Sequence, residues 1–529
     1  MNSQESECFM AQKFQKIIDG LWLVEDICNV YIVQCNQRAV AIDFGSGNWF
    51  DDLGQIGVEY LDHVFLTHHH VDQCSGLQDR EFWPFTIHAP AGEEDFLDHS
   101  TMRQTGSFSR FDRGCPKSYS VLKDGLGNVV YDIRSHLDFL WLKKRIRFLA
   151  TPGHGPNACS IIIDIGEKQI VFCGDAAYEG GTLWQPFHLE WDHYSTIGTI
   201  AAWQGIKRLA AMQIDLLCPS HGSIIDSQPN AKLNLLAERL MKLHDVKQVN
   251  YTEEKDLYLD SELLSFGGAK LFEHLYQFGQ NGYLLLSSSG QALIVDPFGP
   301  DMEIMERLLG SLGGVKPTAV VVTHYHSDHC DGIEYLRQHY GAKAYLHPQV
   351  ARPLANVDQS YIPWLPKVSI SADELWPNEG MWQWNEYNFQ IDHCPGQTWW
   401  HCCFMILIDG RKVFFSGDNF TPLSRYGGGC VPCSFNNGRL EDGYLKSAEL
   451  VLKYKPDVIA SGHWVYYHFT ESRFRKIIQW AHHASDVIRQ LCPTGDIEKD
   501  YYNMGVEPGA ITKESIVRKP KGVTYLWAK

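Results

Sequence analysis

The sequence contains THHHVDQCSG at residues 67–76 and a second version of the same stretch, THYHSDHCDG, at residues 323–332. Each copy follows an apolar, β-type run, at residues 64–66 and 319–322, so we expect its imidazoles and carboxylate on a loop at the end of a strand. Two histidines one residue apart, with an aspartate close behind, form a donor set that suits zinc, with iron and manganese as alternatives. The doubled spacing therefore predicts two metal-binding loops.

Length and composition limit the kinds of protein that this chain can be. It has 529 residues, of which 44% are hydrophobic and 21% charged. These values are typical of a globular protein, and the length favours two domains over one. The net charge of −17, without any long run of Lys and Arg, argues against nucleic acid as a partner.

The first residues and the cysteines bear on the compartment. Residues 1–8 lack the basic and then apolar layout of a secretory signal, and no run of about 18 apolar residues suggests a membrane span. The 15 cysteines are scattered along the chain, which favours reduced and mostly buried thiols. We therefore expect a cytoplasmic protein with no membrane partner.

The repeat continues beyond the opening stretch. The matching segments are residues 39–43 with 292–296, 151–155 with 394–398, 171–175 with 414–418, and 215–221 with 457–463. His154 and Asp175 are 21 residues apart, and so are Gln397 and Asp418. This constant register predicts a tandem duplication, with an insertion near residues 107–127 in the first half.

The duplication sets the expected domain bounds. We predict a first domain at residues 10–248, a linker at 249–258, a second domain at 259–492 and a C-terminal tail at 493–529. Apolar residues at a helical period predict that one helix closes each domain, at residues 229–243 and 474–491, and the first of these has Pro229 near its start.

Taken in order, these segments resemble the motifs of a known family. A strand ending in Asp, then Thr-His-x-His-x-Asp-His, Pro-Gly-His, Gly-Asp and a final His is the series found in the metallo-β-lactamase fold superfamily, and both halves resemble it, over roughly residues 10–225 and 255–470. The resemblance implies an α/β fold with two tandem αβ/βα sandwich domains. In this family a metal site lies at one edge of two packed sheets and commonly holds two zinc ions.

In the first half, the resemblance implies two metal positions that share a bridging aspartate. The residues of the first position are His68, His70 and His154, with Asp175 as the bridge. The residues of the second position are Asp72 and His221, with Gln73 in place of the family's sixth histidine.

In the second half, the same two positions are filled differently. The residues of the second position are complete, with Asp328, His329, His463 and bridging Asp418. The first position keeps His324 and His326, but Gln397 replaces the Pro-Gly-His imidazole. A glutamine carbonyl binds zinc more weakly than an imidazole, so we expect a different position to be weakened in each half, with one or two ions per domain.

Other side chains near the motifs leave alternatives open. His401 and His393, four residues on either side of Gln397, are conceivable substitute ligands, although we favour packing, with His401 at the start of the next strand. His69 and Tyr325 lie between two ligand positions, and we expect them to pack behind the ligands.

The expected chemistry follows from the metal. Bound zinc lowers the pKa of water from about 15.7 to near 7, which makes a nucleophile available for hydrolysis. Asp72 or Asp328 could orient that nucleophile or pass a proton to the leaving group. Asp43 and Asp296 could orient ligand imidazoles as hydrogen-bond acceptors.

Members of the family hydrolyse several substrate classes, among them β-lactams, thioesters, lactones, phosphodiesters and sulfate esters. The acidic balance of the chain disfavours polyanions, so we expect a small-molecule ester, thioester or lactone. One alternative is an iron dioxygenase-like site in the first domain, with His68, His154 and Asp175 as ligands. Another is that one domain has become a non-catalytic scaffold or docking module.

Two further features have competing interpretations. A set of aromatic residues near the second site could wall an apolar pocket or belong to the core; they are Trp399, Trp400, Trp464, Tyr466 and Tyr467. A Cys-x-x-C pair at Cys430 and Cys433 is more typical of a loop than of a metal or redox site, because no second pair accompanies it.

Overall fold

The computed structural model describes residues 13–80, 82–93, 97, 128–135, 137–184, 196–248, 259–355, 357, 364–421 and 440–492. Four segments that the sequence singled out lie outside the described residues. They are the insertion near residues 107–127, the linker at 249–258, the loop with Cys430 and Cys433, and the tail at 493–529.

The described part of the first half forms two sheets. The strands of the larger sheet are β1 (Gln15–Ile18), β2 (Leu21–Glu25), β3 (Asn29–Cys35), β4 (Arg38–Ile42), β5 (Tyr60–Phe65), β6 (Thr86–Pro90) and β7 (Val129–Ile133). They pair in sequence order, antiparallel as far as β4 and parallel from β4 to β7. The strands of the smaller sheet are β8 (Asp138–Trp141), β9 (Lys144–Ala150), β10 (Cys159–Ile165), β11 (Lys168–Gly174) and β12 (Leu216–Pro219). They pair in the order β12-β11-β10-β9-β8.

The second half repeats this arrangement. The strands of its larger sheet are β13 (Glu262–Leu263), β14 (Gly268–Lys270), β15 (Leu275–Phe278), β16 (Gly282–Leu286), β17 (Gln291–Val295), β18 (Lys316–Val321), β19 (Lys343–Leu346) and β20 (Glu374–Leu375). The strands of its smaller sheet are β21 (Gly380–Trp384), β22 (Tyr387–His393), β23 (Cys402–Ile408), β24 (Arg411–Gly417), β25 (Val458–Ser461) and β26 (Tyr466–His468). Both sheets pair in sequence order.

Irregularities in the strands also recur. The parallel pairs β4–β5 and β17–β18 each carry a register shift, at Ala39/Val40 and at Ala292/Leu293. The parallel pairs β11–β12 and β24–β25 each carry another, at Phe172/Gly174 and at Phe415/Gly417. Because such bulges are built into a fold rather than scattered in it, the two halves are two copies of one architecture.

Helices cover the sheets. They are α1 (Val71–Cys74), α2 (Ile197–Ala210), α3 (Pro229–Lys247), α4 (Met302–Ser311), α5 (Ser327–Cys330), α6 (Ile333–Tyr340), α7 (Pro348–Ala355), α8 (Lys446–Tyr454) and α9 (Glu471–Leu491). Short 3₁₀ turns occupy Phe50–Ile56, Ser75–Asp79 and Gly299–Asp301, and a π-helical turn occupies Leu440–Leu445. The two predicted closing helices are confirmed as α3 and α9, each extending a few residues beyond the predicted range. Within the described ranges, no helix is both long and apolar enough to cross a membrane.

The alternation of side chains along the strands builds the layers. In β10, Ile161 and Ile163 point into the apolar cluster between the two sheets, while Ile162 points into the cluster on the helical side. Successive side chains of a strand point to opposite faces, so one strand contributes to two layers. The sheets and helices confirm the predicted α/β class with two tandem sandwich domains, and the exact domain bounds remain a prediction.

The closing helices also join the two halves. Helices α3 and α9 contribute to one buried apolar cluster, in which Leu240 and Ile477 are members. The indole Nε1 of Trp480 donates to the carbonyl oxygen of Val246 at 2.8 Å. Burial of apolar surface is the main favourable term in such packing, so the halves share part of their core.

Candidate metal centres

The first candidate centre is built by four loops that follow strand ends. Residues 67–70 follow β5 and lead into α1, residues 151–154 follow β9, Asp175 follows β11, and His221 follows β12. The chain therefore brings side chains from distant positions to one place. The six His and Asp residues predicted for this half fall into two neighbouring donor groups.

The first donor group consists of His68, His70 and His154, whose nitrogens lie within 4.8 Å of one another. Nε2 of His154 lies 3.0 Å from Nε2 of His68. Oδ2 of Asp175 lies 3.6 Å from Nε2 of His68 and 3.4 Å from Nε2 of His154. Three imidazoles and one carboxylate that converge on a small volume match the donor set of a tetrahedral zinc site.

The second donor group consists of Asp72, Asp175 and His221. Oδ1 of Asp175 lies 2.7 Å from Nδ1 of His221, and Oδ2 of Asp72 lies 3.0 Å from Nε2 of the same histidine. Asp175 thus faces one group with Oδ2 and the other with Oδ1, which is the geometry of a bridging carboxylate. Burial lowers the pKa of His221, but the carboxylates of Asp175 and Asp72 outweigh it and raise this pKa to about 10.

Gln73 occupies the place expected for a sixth histidine. Its side chain is fully buried, and its Nε2 donates to Oδ2 of Asp72 at 3.1 Å. Within the described ranges its Oε1 has no hydrogen-bond partner. The amide therefore supports Asp72 and leaves one carbonyl oxygen as a potential, weak ligand.

A threonine supports the first histidine of each motif. Oγ1 of Thr67 lies 2.9 Å from Nδ1 of His68 and donates to Asp43. The hydroxyl of Thr67 can then accept from Nδ1 of His68, which puts the lone pair of that ring on Nε2, the nitrogen that faces the other donors. Asp43 consequently acts on His68 through Thr67 rather than by direct contact. Both copies of the motif begin with Thr, so the repeat could have indicated from the sequence that this residue has a role at the site.

The second half also contains two donor groups. One is His324, His326 and Asp418, and the other is Asp328, His329 and His463. The distances to Asp418 are 3.8 Å from Nε2 of His324 to Oδ2, 3.4 Å from Nε2 of His329 to Oδ1, and 3.2 Å from Nε2 of His463 to Oδ2. Asp418 again faces both groups.

Two features distinguish this second centre. Nε2 of Gln397 donates to Oδ2 of Asp418 at 3.1 Å, so the amide lies where the first half has an imidazole. His329 is surrounded by carboxylates: burial alone would lower its pKa, but Asp418, Asp328 and Asp296 raise it above its usual value. Asp328 is more exposed than its counterpart Asp72, with 28% against 14% of its side chain accessible, so the second centre is the more open one at this position.

The two histidines considered as substitute ligands lie outside the donor groups. The ring of His401 is buried and stacks on His324, with centroids 4.9 Å apart and planes at 18°. Burial lowers the pKa of His401 to about 3, so this ring is neutral. Nε2 of His393 lies 2.8 Å from the carbonyl oxygen of Trp399. This geometry favours the packing interpretation for both, although the strand itself begins one residue later than predicted, at Cys402.

Three residues near the centres, Glu93, Trp184 and Asn281, were not singled out from the sequence. Nδ1 of His69 lies 2.7 Å from Oε2 of buried Glu93, and nothing in the spacing of the two residues links them. Trp184 stacks on His221, with centroids 4.7 Å apart and planes at 2°. Nδ2 of Asn281 donates to Oδ2 of Asp328 at 3.1 Å. Trp184 and Asn281 each support a ligand from a distant part of the chain, whereas Glu93 pairs with His69, which lies outside the donor groups.

The aromatic residues that could wall a pocket or belong to the core are only partly at the surface. Trp400 and Tyr467 are fully buried in the core. Trp464, directly after His463, is 38% exposed and has a left-handed backbone with φ of 63°. A bulky residue in this region is unusual and costs free energy, whereas the matching residue of the first half is Gly222, with φ of 75°.

The residues present fit a metal ion in both halves. Among the described residues, three buried polar atoms at the second centre have no hydrogen-bond partner: Nε2 of His324, Nε2 of His329 and Oδ1 of Asp418. Leaving a buried donor or acceptor unsatisfied costs about 1–3 kcal/mol. A divalent cation would satisfy all three, and imidazole with carboxylate suits zinc, iron or manganese.

Comparison with known proteins identifies a family. A family model described as the metallo-beta-lactamase superfamily matches residues 23–224 and 275–463. A hydroxyacylglutathione hydrolase from Tolumonas auensis is 32% identical over 152 residues, which is 28% of this chain and 50% of that relative. One from Xylella fastidiosa is 29% identical over 145 residues, covering 27% and 47%. The chain spans about half the length of the curated relatives it matches.

Two solved structures match this chain at lower sequence identity. A subclass B3 metallo-beta-lactamase isolated from a soil metagenome library is 15% identical, with a TM-score of 0.35, and the match covers 44% of this chain and 96% of that one. The subclass B3 enzyme BJP-1 of Bradyrhizobium japonicum is 16% identical, with a TM-score of 0.32 and coverage of 44% and 92%.

Proposed function

Because the chain belongs to the metallo-β-lactamase superfamily, we propose that it is a metal-dependent hydrolase that uses zinc to cleave a small thioester, ester or lactone. The observation that carries this proposal is the bridging position of Asp175 and of Asp418, each between two donor groups. An aspartate shared by two such groups serves no evident purpose in packing, since burying it between imidazoles is costly without a cation.

Each half would hold the metal through its two donor groups. In the first half the ligands are His68, His70, His154, Asp72, Asp175 and His221, and in the second they are His324, His326, Asp328, His329, Asp418 and His463. Gln73 and Gln397 complete the positions as weak ligands or as supports for Asp72 and Asp418. The bound metal supplies an activated water and polarises the bond to be broken.

The side chains around the metal have their own tasks. Asp72 and Asp328 lie at the accessible side of their centres and are placed to orient the attacking water or to carry a proton to the leaving group. Thr67 holds the ring of His68 so that Nε2 faces the cluster. Asn281 fixes the carboxylate of Asp328, which limits the directions in which it can accept a proton.

The substrate class rests on relatives and on charge. The relatives named hydroxyacylglutathione hydrolases suggest a thioester. The net charge of −17 disfavours polyanionic substrates by repulsion. A small, uncharged or weakly charged acyl compound is therefore the substrate that we propose, in a cytoplasmic setting.

The decisive experiment replaces the bridging residues. Asp175→Asn, Asp418→Asn and the double variant are assayed on thioester, lactone, β-lactam and phosphodiester substrates, with zinc, iron and oxygen uptake measured in parallel. We expect at least one single variant to lose thioester or lactone hydrolysis by more than the roughly 10–100-fold seen when a residue behind a ligand is removed. The exposed Glu167 provides a matched control as Glu167→Gln.

The outcomes separate the alternatives. Iron with oxygen consumption that depends on Asp175 would replace the hydrolase proposal by a dioxygenase-like site, whose ligands His68 and His154 lie within 3.6 Å of Asp175. If only one single variant has an effect, the other half is a scaffold. If hydrolysis survives in the double variant, the proposed site is wrong.

A further inference from the structure

The two halves satisfy one equivalent buried carboxylate in different ways. In the first half, Oδ1 of Asp43 accepts from the backbone N–H of Thr67 at 2.8 Å. Its Oδ2 accepts from Oγ1 of Thr67 at 2.9 Å and from Oγ of Ser220 at 3.0 Å. Asp43 is almost completely buried, so each of these donors matters to its stability in the fold.

In the second half, a histidine takes the place of that serine. Oδ1 of Asp296 accepts from the backbone N–H of Thr323 at 2.7 Å, and its Oδ2 accepts from Oγ1 of Thr323 at 2.8 Å. The remaining contact to Oδ2 comes from Nδ1 of His329, at 3.1 Å. Nδ1 of His329 therefore lies beside the carboxylate oxygen that corresponds to the one accepting from Ser220 in the first half.

The residue equivalent to Ser220 is Gly462. Each precedes the final histidine of its half, and the backbone N–H of each donates to the carbonyl oxygen of the glycine before the bridging aspartate. The distances are 2.9 Å from Ser220 to Gly174 and 3.0 Å from Gly462 to Gly417. The backbone therefore places the two residues at the same point of the fold.

The space around Gly462 bears on whether a serine or the imidazole of His329 can lie beside the buried carboxylate. A Cβ atom added to Gly462 would lie 3.0 Å from Cε1 of His329 and 2.1 Å from Oδ1 of Asp418. The contact with Oδ1 of Asp418 is far too close for real atoms, whereas the contact with Cε1 of His329 is tight enough that the ring must shift by a few tenths of an ångström. A Cβ at this point would therefore displace the carboxylate of Asp418 from its present position beside the imidazole of His329.

The first half shows the other solution. Ser220 supplies the Cβ that the second half excludes, and Gln73 fills the position of His329. The final histidines differ accordingly, since His221 turns Nδ1 to Asp175 whereas His463 turns Nε2 to Asp418. The first half thus combines Gln73 with Ser220, and the second half combines His329 with Gly462.

We propose that Gln73 and Ser220 act as a pair that keeps the second metal position of the first half one imidazole short. The Cβ of Ser220 keeps the bridging carboxylate out of the position that Asp418 takes beside His329 in the second half, so restoring a histidine at position 73 alone does not restore the metal position. This inference rests on the proposed function only in that it requires the centres to bind metal.

The test counts metal ions in the full-length protein and needs no substrate. Wild type, Gln73→His, Ser220→Gly and the double variant are loaded with zinc, dialysed, and measured by inductively coupled plasma mass spectrometry. Cobalt loading gives an independent absorption signature of each added site. We expect neither single change to add an ion and the double change to add one per chain. Gln73→His with Ser220→Ala is the matched control and should add none, because the Cβ remains.

An ion gained by Gln73→His alone, or by the control, would overturn the proposal, and so would no gain in a folded double variant. The reverse change, Gly462→Ser, tests the same pairing in the second half. It should remove one ion, and full retention would contradict the steric argument. If wild type binds no metal at all, the proposed function fails instead, so the two failures are distinguishable.

Discussion

Replacing either of two equivalent glycines by alanine tests how closely the side chains next to each metal centre are packed. Gly174 and Gly417 precede the bridging aspartates and have left-handed backbones, with φ of 57° and 48°. A Cβ at Gly417 would lie 2.5 Å from Nε2 of His401 and 2.5 Å from Oγ1 of Thr323. A Cβ at Gly174 would lie 3.0 Å from the side chain of Thr67. Gly417→Ala should therefore disturb its centre more than Gly174→Ala disturbs the other.

The size of the difference follows from these distances. Both variants place alanine in a left-handed conformation, at a cost of about 1–2 kcal/mol. Only Gly417→Ala must also displace two buried polar groups, and overpacking of this kind costs about 1–3 kcal/mol more. We expect Gly174→Ala to lower the free energy of unfolding by about 1–2 kcal/mol, and Gly417→Ala by about 2–5 kcal/mol.

Urea unfolding of the full-length variants, followed by tryptophan fluorescence, measures both free energies. Zinc content is measured on the same samples, because displacement of Thr323 would also release His324 from its support. We expect zinc to be lost from Gly417→Ala and retained by Gly174→Ala. Equal destabilisation within about 0.5 kcal/mol, the error of such comparisons between independent sites, would refute the reasoning.

Three further perturbations test other parts of the structure. Trp480→Ala should lower the free energy of unfolding by about 3–5 kcal/mol. Circular dichroism and zinc release should still report a single unfolding transition, and two separate transitions would contradict a core shared by the two halves. Burial raises the pKa of Asp43 from 3.8 to about 7, so the folded state holds this proton more tightly than the unfolded state does. In protein freed of metal by a chelator, deprotonation of Asp43 should lower the free energy of unfolding by up to about 4 kcal/mol as the pH rises from about 4 to about 7. Urea unfolding of Asp43→Asn should lack this pH dependence, and an unchanged pH dependence would show that Asp43 is not its source. His401→Phe should keep the zinc content while His401→Ala lowers the melting temperature, and zinc loss in the Phe variant would make His401 a ligand.

The fold and the gathering of the predicted ligands could be derived from the sequence. Each ligand motif follows a strand, and the constant spacing between motifs in the two halves fixes which strand ends belong together. His68, His154 and Asp175 meet for this reason, although 86 residues separate the two histidines. Substitutions at Gln73 and Gln397 were visible because the two copies could be compared.

What could not be derived depends on contacts between segments that no motif connects. The pairing of His69 with Glu93 and of Asp328 with Asn281 requires knowledge of loop positions. The serine at 220 and the glycine at 462 are both common residues in turns, so their difference had no meaning until the space around His329 was known. Spacing predicts which residues meet, but it does not give the volume available to them.

The junction between α3 and α9 has a consequence for how this chain evolves. A half that lost its chemistry would still provide one wall of the other half's core, with Val246 and Trp480 as an example. Selection for a folded protein would therefore preserve the architecture of both halves while leaving their ligands free to diverge. The different glutamines in the two centres are the kind of divergence that such a joined pair permits.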